Sequence, residues 1–279
     1  MSTVEEYIKQ NAYLATYRQV ECACMENRRD VLEFLVVNLN APTTPNSLFY
    51  AIKYGSLDAV KFLVERNLVN VNVHYVYSTP IYEAIMNNRV EVGEYLLEKG
   101  AALDTICMLD ATKKSSLEIV RMCVNFYNTC LGLLNDMLYI ACDVGSLEKV
   151  DFLVSRGADV RSMSDEALRT VSRNGFLDVV EYLVRAGANV HADDDAAVRM
   201  ASLNEHFEVV RVLCDAGANR SMIHPKSEKY LQLIERTRDR AQKKIYFWWI
   251  PICYDPNRDS GKRMMTRSWE ETHALLMTQ

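Results

Sequence analysis

Histidine is the side chain best suited to acid–base catalysis near neutral pH. A catalytic histidine needs a carboxylate or a nucleophile positioned beside it, and no motif in this sequence supplies that partner. We therefore predict that all the histidines are structural or solvated, with one of them, His206, in a turn between two helices. The five are His74, His191, His206, His224 and His273.

Three other groups of residues could in principle bind a metal or a phosphate. Asp193–Asp195 offers carboxylates for a hard cation, but three adjacent acids lack the alternating spacing of a calcium loop. Ser260–Arg263 lacks the upstream glycine and the following Ser or Thr of a phosphate loop. Cys22 and Cys24 point about 200° apart on a helix, so they cannot chelate one ion together. We predict no catalytic site, no metal and no cofactor.

Composition narrows the class of protein. The chain has 279 residues, 49% of them hydrophobic, and a net charge of −5. Between Lys226 and Glu271 there are 11 Lys and Arg against 7 Asp and Glu, which leaves 21 basic and 30 acidic residues elsewhere. An acidic body of this kind predicts no general attraction to nucleic acid or to anionic lipid.

Location is also indicated by composition. The first residues lack the basic start and apolar core of a secretory signal, and the apolar stretch Ile245–Tyr254 is too short to span a membrane. The cysteines are scattered and include no C-x-x-C pair. We therefore expect free thiols in a reducing compartment, and a cytoplasmic or nucleocytoplasmic protein.

An internal repeat provides the elements that position all these residues. Ten-residue segments, two of which begin at Gly145 and Gly175, align with one another without gaps and end in Val, Leu or Cys. Aligned on one core position, seven copies follow one another at spacings of 28, 33, 27, 30, 30 and 30 residues. The aligned residues are Leu35, Leu63, Leu96, Cys123, Leu153, Leu183 and Leu213. A sustained period of this length predicts stacked supersecondary units.

Each unit is predicted to contain two short helices. In the second helix, apolar residues such as Leu177, Val180 and Leu183 recur at steps of three and four. The first helix is shorter, for example 136–144, and we expect Asp136, Asp165 and Asp195 to cap first helices through their carboxylates. Gly or Asn occupies most of the turns, where a left-handed backbone is needed; Ser115 and Glu205 depart from this rule.

These units resemble the ankyrin family. Its consensus T-P-L-H-x-A-A is approached by Thr79-Pro80-Ile81-Tyr82-Glu83-Ala84, with Tyr82 where the family usually has His, and Gly-Ala-Asp or Gly-Ala-Asn recurs after the second helices. The resemblance covers residues 12–222 and implies an all-α solenoid with short hairpin or loop fingers. Units of 30 residues, and the tail Ile245–Tyr254, resemble the short-repeat ankyrin proteins of giant DNA viruses of amoebae. That resemblance implies a host-cell protein as the partner.

The family resemblance also implies a binding face. First helices line the concave surface of an ankyrin stack, and this surface with the finger tips usually binds another protein. Large or planar side chains are concentrated there in the second to fourth units, which suits an interface. The predicted partner-binding residues are Tyr50, Lys53, Tyr54, Tyr75, Tyr77, Glu83, Met86, Asn87, Lys113 and Lys114.

The C-terminal segment allows two interpretations. We divide the chain into a repeat array, residues 1–223, and a segment, residues 224–279, with a helix at Ser227–Lys244. The aromatic block that follows, with Phe247, Trp248 and Trp249, would cap the seventh unit. Alternatively the segment docks a modifying enzyme such as a ubiquitin ligase, although the Leu-Pro start of an F-box-like motif is missing.

The sequence as a whole predicts a monomeric scaffold that binds another protein and catalyses no reaction. It binds neither nucleic acid nor membrane in this interpretation. A small enzyme within residues 224–279 is the remaining alternative, and the segment has no acid–base pair to support it.

Overall fold

The structure, a computed structural model, describes residues 3–12, 14–74, 78–127 and 129–253, with side chains as far as residue 243. Within these ranges the chain is helical and contains no β-strand. Seven helix pairs follow a short first helix, α1 (Val4–Gln10). The pairs are α2 (Thr16–Met25) with α3 (Arg29–Glu33) and its π-helical extension Phe34–Asn38, α4 (Pro45–Tyr54) with α5 (Leu57–Glu65), α6 (Pro80–Met86) with α7 (Val90–Glu98), α8 (Thr105–Lys114) with α9 (Leu117–Phe126), α10 (Leu131–Val144) with α11 (Leu147–Ser155), α12 (Ser162–Asn174) with α13 (Leu177–Arg185), and α14 (Ala192–Leu203) with α15 (Phe207–Asp215). A 3₁₀ turn, Arg220–Met222, and α16 (Pro225–Cys253) complete the described chain.

The pairs stack in sequence order, as the period predicts. Each first helix contacts the first helix of the next pair, and each second helix contacts the next second helix. At most junctions the first helices contact each other more extensively than the second helices do. The core position of the repeat is fully buried in every unit, at Leu35, Leu63, Leu96, Cys123, Leu153, Leu183 and Leu213. Burying one leucine side chain contributes about 1.5–3 kcal/mol.

The turns between the two helices of a pair confirm the prediction that Gly and Asn adopt a left-handed backbone conformation there. Gly55, Gly145 and Gly175 have φ between 73° and 80°, and Asn27 and Asn88 have φ of 54°. The two exceptions differ from each other. Glu205 also adopts the left-handed conformation, with φ of 61°, whereas Ser115 is extended at φ −100°.

A buried lysine compensates for the unusual turn at Ser115. The Ser115 N–H donates to the Ala111 carbonyl. The Thr112 carbonyl therefore does not receive the backbone N–H that a left-handed residue at position 115 would donate to it. Lys149 of the next unit donates its Nζ to this Thr112 oxygen at 2.7 Å. Lys149 is only 7% exposed, and burial lowers the pKa of its ammonium group. It occupies a core position that is Val179 in the following unit.

Left-handed turns also explain the 30-residue units. Met163–Asp165 and Asp193–Asp195 are three-residue runs with φ between 52° and 59°, placed where a longer unit would extend a finger. The prediction that Asp165 and Asp195 cap their own helices is wrong. Their Oδ1 atoms accept hydrogen bonds from the backbone N–H groups of Asn189, at 2.7 Å, and Asn219, at 2.9 Å, in the next turn of the stack.

The fifth unit uses an amide for the same hydrogen bond. Asn135 Oδ1 accepts from the Asp159 N–H at 2.8 Å. Helix α10 begins at Leu131, five residues before the predicted start, because the connection before it is short and its first turn packs Leu133 and Leu134 into the core. Asp136 therefore lies inside the helix, and its predicted role as a cap is also wrong.

The seventh unit is covered by the start of α16. Ser227 and Leu231 are buried. They lie one 30-residue period after Ala197 and Ala201 of the seventh unit. The Tyr230 ring stacks on Phe207 with 5.1 Å between centroids. Helix α16 thus begins in the repeat register of a first helix, packs on α15, and runs further than the predicted end at 244. The predicted packing of Phe247, Trp248 and Trp249 concerns side chains outside the described residues, as does everything after Cys253, so it stays a prediction.

Candidate functional site

The predicted binding residues that the structure describes lie on, or at the end of, three neighbouring first helices. Helix α4 contacts α6, and α6 contacts α8, so their exposed faces form one surface. We call this surface the central face. Tyr50, Lys53 and Tyr54 lie on α4, Glu83 and Met86 on α6 with Asn87 as its C-cap, and Lys113 and Lys114 at the end of α8. Tyr75 and Tyr77 lie outside the described residues.

Exposed apolar surface dominates one side of the central face. Tyr54 is 54% exposed and Tyr50 is also exposed, while Met86 is half-buried. The side chains of Lys53 and Lys113 are exposed and form no ion pair with any described side chain. Aromatic surface beside unpaired cations can contact both the apolar and the acidic side chains of a partner.

A hydrogen-bonded network fixes the other side of the central face. The Tyr82 hydroxyl donates to Asp110 Oδ2 at 2.7 Å, and Lys114 Nζ lies 3.2 Å from Asp110 Oδ1. The hydrogen bond to the carboxylate raises the pKa of Tyr82 to about 12. The same bond, together with Lys114, lowers the pKa of Asp110. The network connects the third and fourth units across the surface.

Two predicted residues bond to each other. Asn87 Nδ2 donates to Glu83 Oε1 at 3.1 Å, and Ser78 Oγ donates to Glu83 Oε2 at 3.3 Å. These bonds hold the Glu83 carboxylate against its own helix and the preceding loop. A partner would therefore meet Glu83 and Asn87 in a fixed orientation.

Tyr82 and Asp110 are not among the binding residues that the sequence predicts. Asp110 occupies the position five residues before the inter-helix turn, as do Tyr50 and Glu83, so the repeat alignment contains the signal that would have found it. Tyr82 was noted only as a departure from the usual His. Its role depends on a contact with the next unit, which no single-unit pattern contains.

The residues considered for catalysis have structural partners. His206 Nε2 contacts the Arg173 carbonyl at 3.0 Å and donates to it, which connects the seventh unit to the sixth. In the acidic triplet, Asp193 pairs with Arg169. Asp195 Oδ1 accepts from the Asn219 N–H and also lies 3.0 Å from His191 Nδ1, so the prediction that no histidine has a carboxylate beside it is wrong for His191. No group of three His, Cys, Asp or Glu residues in the described ranges is arranged to hold a metal ion.

Three buried thiols are poorly suited to nucleophilic chemistry. Burial raises the pKa of Cys107, Cys123 and Cys142 to about 12, so they stay protonated at neutral pH. The seven described cysteines are free. Among the helices that the structure describes, none is both long and apolar enough to cross a bilayer.

Comparison with known proteins agrees with the geometry. The family described as "Ankyrin repeats (3 copies)" matches residues 20–107 and 138–223. The crystal structure of the ankyrin repeat domain of Bcl-3, a member of the IκB protein family, superposes with a TM-score of 0.54 at 24% identity, covering 64% of this chain and 88% of that one. An ankyrin repeat domain from Acinetobacter baumannii gives a TM-score of 0.51 at 23% identity, covering 62% and 98%.

One curated relative also matches. Alpha-latrocrustotoxin-Lt1a of Latrodectus tredecimguttatus is 33% identical over 87 residues, which is 29% of this chain and 6% of the toxin. The chain therefore matches only a small part of that protein's length. The repeat spacing, the stacked helix pairs and the family match lead to one conclusion. The chain belongs to the ankyrin-repeat family, whose repeats are generally protein–protein interaction modules.

Proposed function

We propose that this protein is a recognition scaffold that catalyses no reaction and binds another protein through the central face. One observation carries the proposal. Tyr54, Tyr50 and Met86 present exposed or half-exposed apolar surface on neighbouring helices, beside polar groups whose orientation is already fixed by hydrogen bonds.

The physical argument concerns the entropy lost on binding. A side chain that is already immobile loses little conformational freedom when a partner covers it, so more of the contact energy appears as affinity. Asp110, Tyr82 and Glu83 meet this condition through their bonds. Tyrosine has few rotatable bonds and a large contact area, and it is frequent among residues that dominate binding energy.

The test is quantitative capture from an extract of cells that carry the gene. The wild-type chain is immobilised beside a Tyr54→Ala/Met86→Ala variant, and each captured protein is quantified by mass spectrometry. The proposal expects at least one protein whose capture falls fivefold or more in the variant, since fivefold corresponds to about 1 kcal/mol and truncating a hot-spot side chain costs about 2 kcal/mol or more.

A matched control uses apolar residues outside the central face. Phe126, at the end of a second helix, and Met222, in the 3₁₀ turn, are both exposed. Phe126→Ala/Met222→Ala removes comparable side chains and should leave capture of the same protein unchanged. If the control variant loses the partner and the central-face variant retains it, the central face is not the binding site.

Several finer predictions accompany the proposal. We expect a monomer in the cytoplasm or nucleocytoplasm, and a host-cell partner if the viral resemblance holds. The adaptor alternative requires residues 224–279 to bind an enzyme. Deleting these residues would then abolish modification of the captured protein without reducing its capture.

A further inference from the structure

Helix α16 has an exposed basic side beyond the repeat array. Its residues Lys229, Leu233, Arg236, Arg240 and Lys243 recur at steps of four and three, which places them on one side of a helix with 3.6 residues per turn. We call this row the basic stripe. All five side chains are exposed, and Leu233, between two cations, is 59% exposed.

The acidic side chains of the helix do not neutralise the basic stripe. Glu228 and Glu235 pair instead with Arg220 of the 3₁₀ turn, at 3.1 Å and 2.7 Å. Lys226 pairs with Glu205, and none of the described ion pairs includes a residue of the basic stripe. Two of the three described acids of the helix are therefore held toward the array. The third, Asp239, is exposed and forms no ion pair among the described residues, so the four cations of the basic stripe have no ion-pair partner in the part of the chain that the structure describes.

The length and composition of this row indicate its ligand. From Lys229 to Lys243 a straight helix extends about 21 Å at 1.5 Å per residue, a linear array of cations that suits a flat anionic surface. The same spacing continues in the sequence to Phe247 and Ile250, within the block Ile245–Ile250 that includes Tyr246, Trp248 and Trp249. Cations followed by tryptophan and tyrosine are typical of helices that lie at a membrane interface.

We propose that the basic stripe binds the surface of an anionic membrane, with α16 lying along the headgroups and the array held outside the bilayer. The apolar residues in and after the stripe favour lipid over nucleic acid or an acidic peptide, neither of which needs them. In this proposal the aromatic block contacts lipid, which replaces its predicted role as a cap of the seventh unit. The overall charge of −5 indicates no such attraction. Charges interact over about 8–10 Å at physiological salt, however, so a local row of four cations determines the attraction at this end.

The experiment measures sedimentation of the full-length chain with vesicles. It compares phosphatidylcholine vesicles with vesicles that also contain about 30% phosphatidylserine, since each basic residue near an anionic surface strengthens binding about fivefold. Binding is expected only with phosphatidylserine and should decrease with salt. Two of the three tryptophans, Trp248 and Trp249, belong to the aromatic block that follows the basic stripe in the sequence, so tryptophan emission should shift to the blue on binding.

Matched variants separate the basic stripe from general charge. Arg240→Gln should lower the partition coefficient about fivefold, and Arg236→Gln/Arg240→Gln/Lys243→Gln about a hundredfold. Arg238 is also exposed on α16 but points about 160° away from Arg240, so Arg238→Gln should lower it by less than about twofold. Far-ultraviolet circular dichroism should be the same for all variants.

Four outcomes would overturn the proposal. These are no vesicle binding, equal binding to neutral and anionic vesicles, and equal losses for Arg238→Gln and Arg240→Gln. The fourth is tight binding of a labelled RNA or DNA oligonucleotide by a chain that ignores vesicles, which would assign the basic stripe to nucleic acid.

Discussion

Replacing Asp165 tests the hydrogen bond that joins the sixth unit to the seventh. The side chain is buried, at 4% exposure, and Asp165 has a φ of 59°. Its Oδ1 accepts from the Asn189 N–H at 2.7 Å. Asp165→Ala removes the acceptor and leaves a residue without a local polar bond in the left-handed region.

The magnitude follows from two contributions. A hydrogen bond to a charged acceptor contributes about 1.5–3 kcal/mol, and the lower end applies because this bond is only partly buried. Placing alanine in the left-handed conformation that Asp and Asn tolerate adds about 1 kcal/mol. We therefore expect Asp165→Ala to lower the free energy of unfolding by about 2–3 kcal/mol. Asp165→Asn should cost less than about 1 kcal/mol, since an amide oxygen can accept the same bond.

The chain contains its own control for the first contribution. Asn135 makes the equivalent bond to the Asp159 N–H with an amide, and its own φ is negative. Asn135→Ala should therefore lose about 1 kcal/mol, because only the hydrogen bond is removed.

The assay combines urea unfolding with amide hydrogen exchange. Urea unfolding followed by circular dichroism gives the change in the free energy of unfolding. Exchange should quicken first at Asn189, because each repeat contacts only its neighbours. If Asp165→Asn destabilises as strongly as Asp165→Ala, the carboxylate acts through its charge and not through this bond. If exchange at Asn189 is unchanged in Asp165→Ala, the bond contributes nothing.

Three further predictions concern other contacts of the array. Gly175→Ala should lower the free energy of unfolding by about 2 kcal/mol or more, measured by urea unfolding, because φ is 80° and a Cβ would lie 2.5 Å from the His206 ring. Lys149→Met should lower it by about 1–2 kcal/mol in the same assay, because the Thr112 carbonyl loses its donor. The stabilisation from Asp110 should be present above the ordinary carboxyl pKa near 4 and disappear as the pH falls through its lowered folded pKa, measured as the difference in stability between wild type and D110N across pH 2–6.

Each of these predictions has a contradicting result. Gly157 also has a positive φ but no atom within 4 Å of an added Cβ, so Gly157→Ala should cost less than Gly175→Ala; equal costs would mean that the His206 contact is unimportant. Increased stability of Lys149→Met would show that desolvating the ammonium group outweighs its hydrogen bond. A wild-type to D110N difference that does not change with pH would mean that Asp110 titrates alike in the folded and unfolded chains.

The stacking could be predicted from the sequence because it depends on periodic features. Burial and left-handed backbone geometry each restrict the type of residue that a position accepts. A core residue near every thirtieth position and Gly or Asn at the turns therefore indicate the fold directly. Leu153, for example, is fully buried, and Gly145 has a left-handed φ, as the pattern predicts. The register in the unit likewise placed the described residues of the central face on or at the end of first helices, while their role in binding stays a prediction.

Features that depend on neighbouring units could not be predicted in the same way. An aspartate before a helix has the composition of an N-cap, and nothing in the pattern indicates that Asp165 ends a left-handed run and points to the next turn. The Tyr82–Asp110 and Lys149–Thr112 bonds join residues 28 and 37 positions apart. Both bonds involve residue types that the other units do not have at the same repeat positions, so a consensus sequence does not contain them.

The bonds between units have a consequence for how such a chain changes its length. The bonds of Asn135, Asp165 and Asp195 all connect residues 24 positions apart, and the units that they join have one 30-residue period. Removing residues 166–195 would therefore place Asp165 as many positions before Asn219 as it now stands before Asn189. Asp165 could then accept from the Asn219 N–H. His206 would then occupy the place of Phe176 over Gly145. Loss or gain of one 30-residue module at this point would therefore keep this bond between units, and each event would shorten or lengthen the row of first helices by one helix.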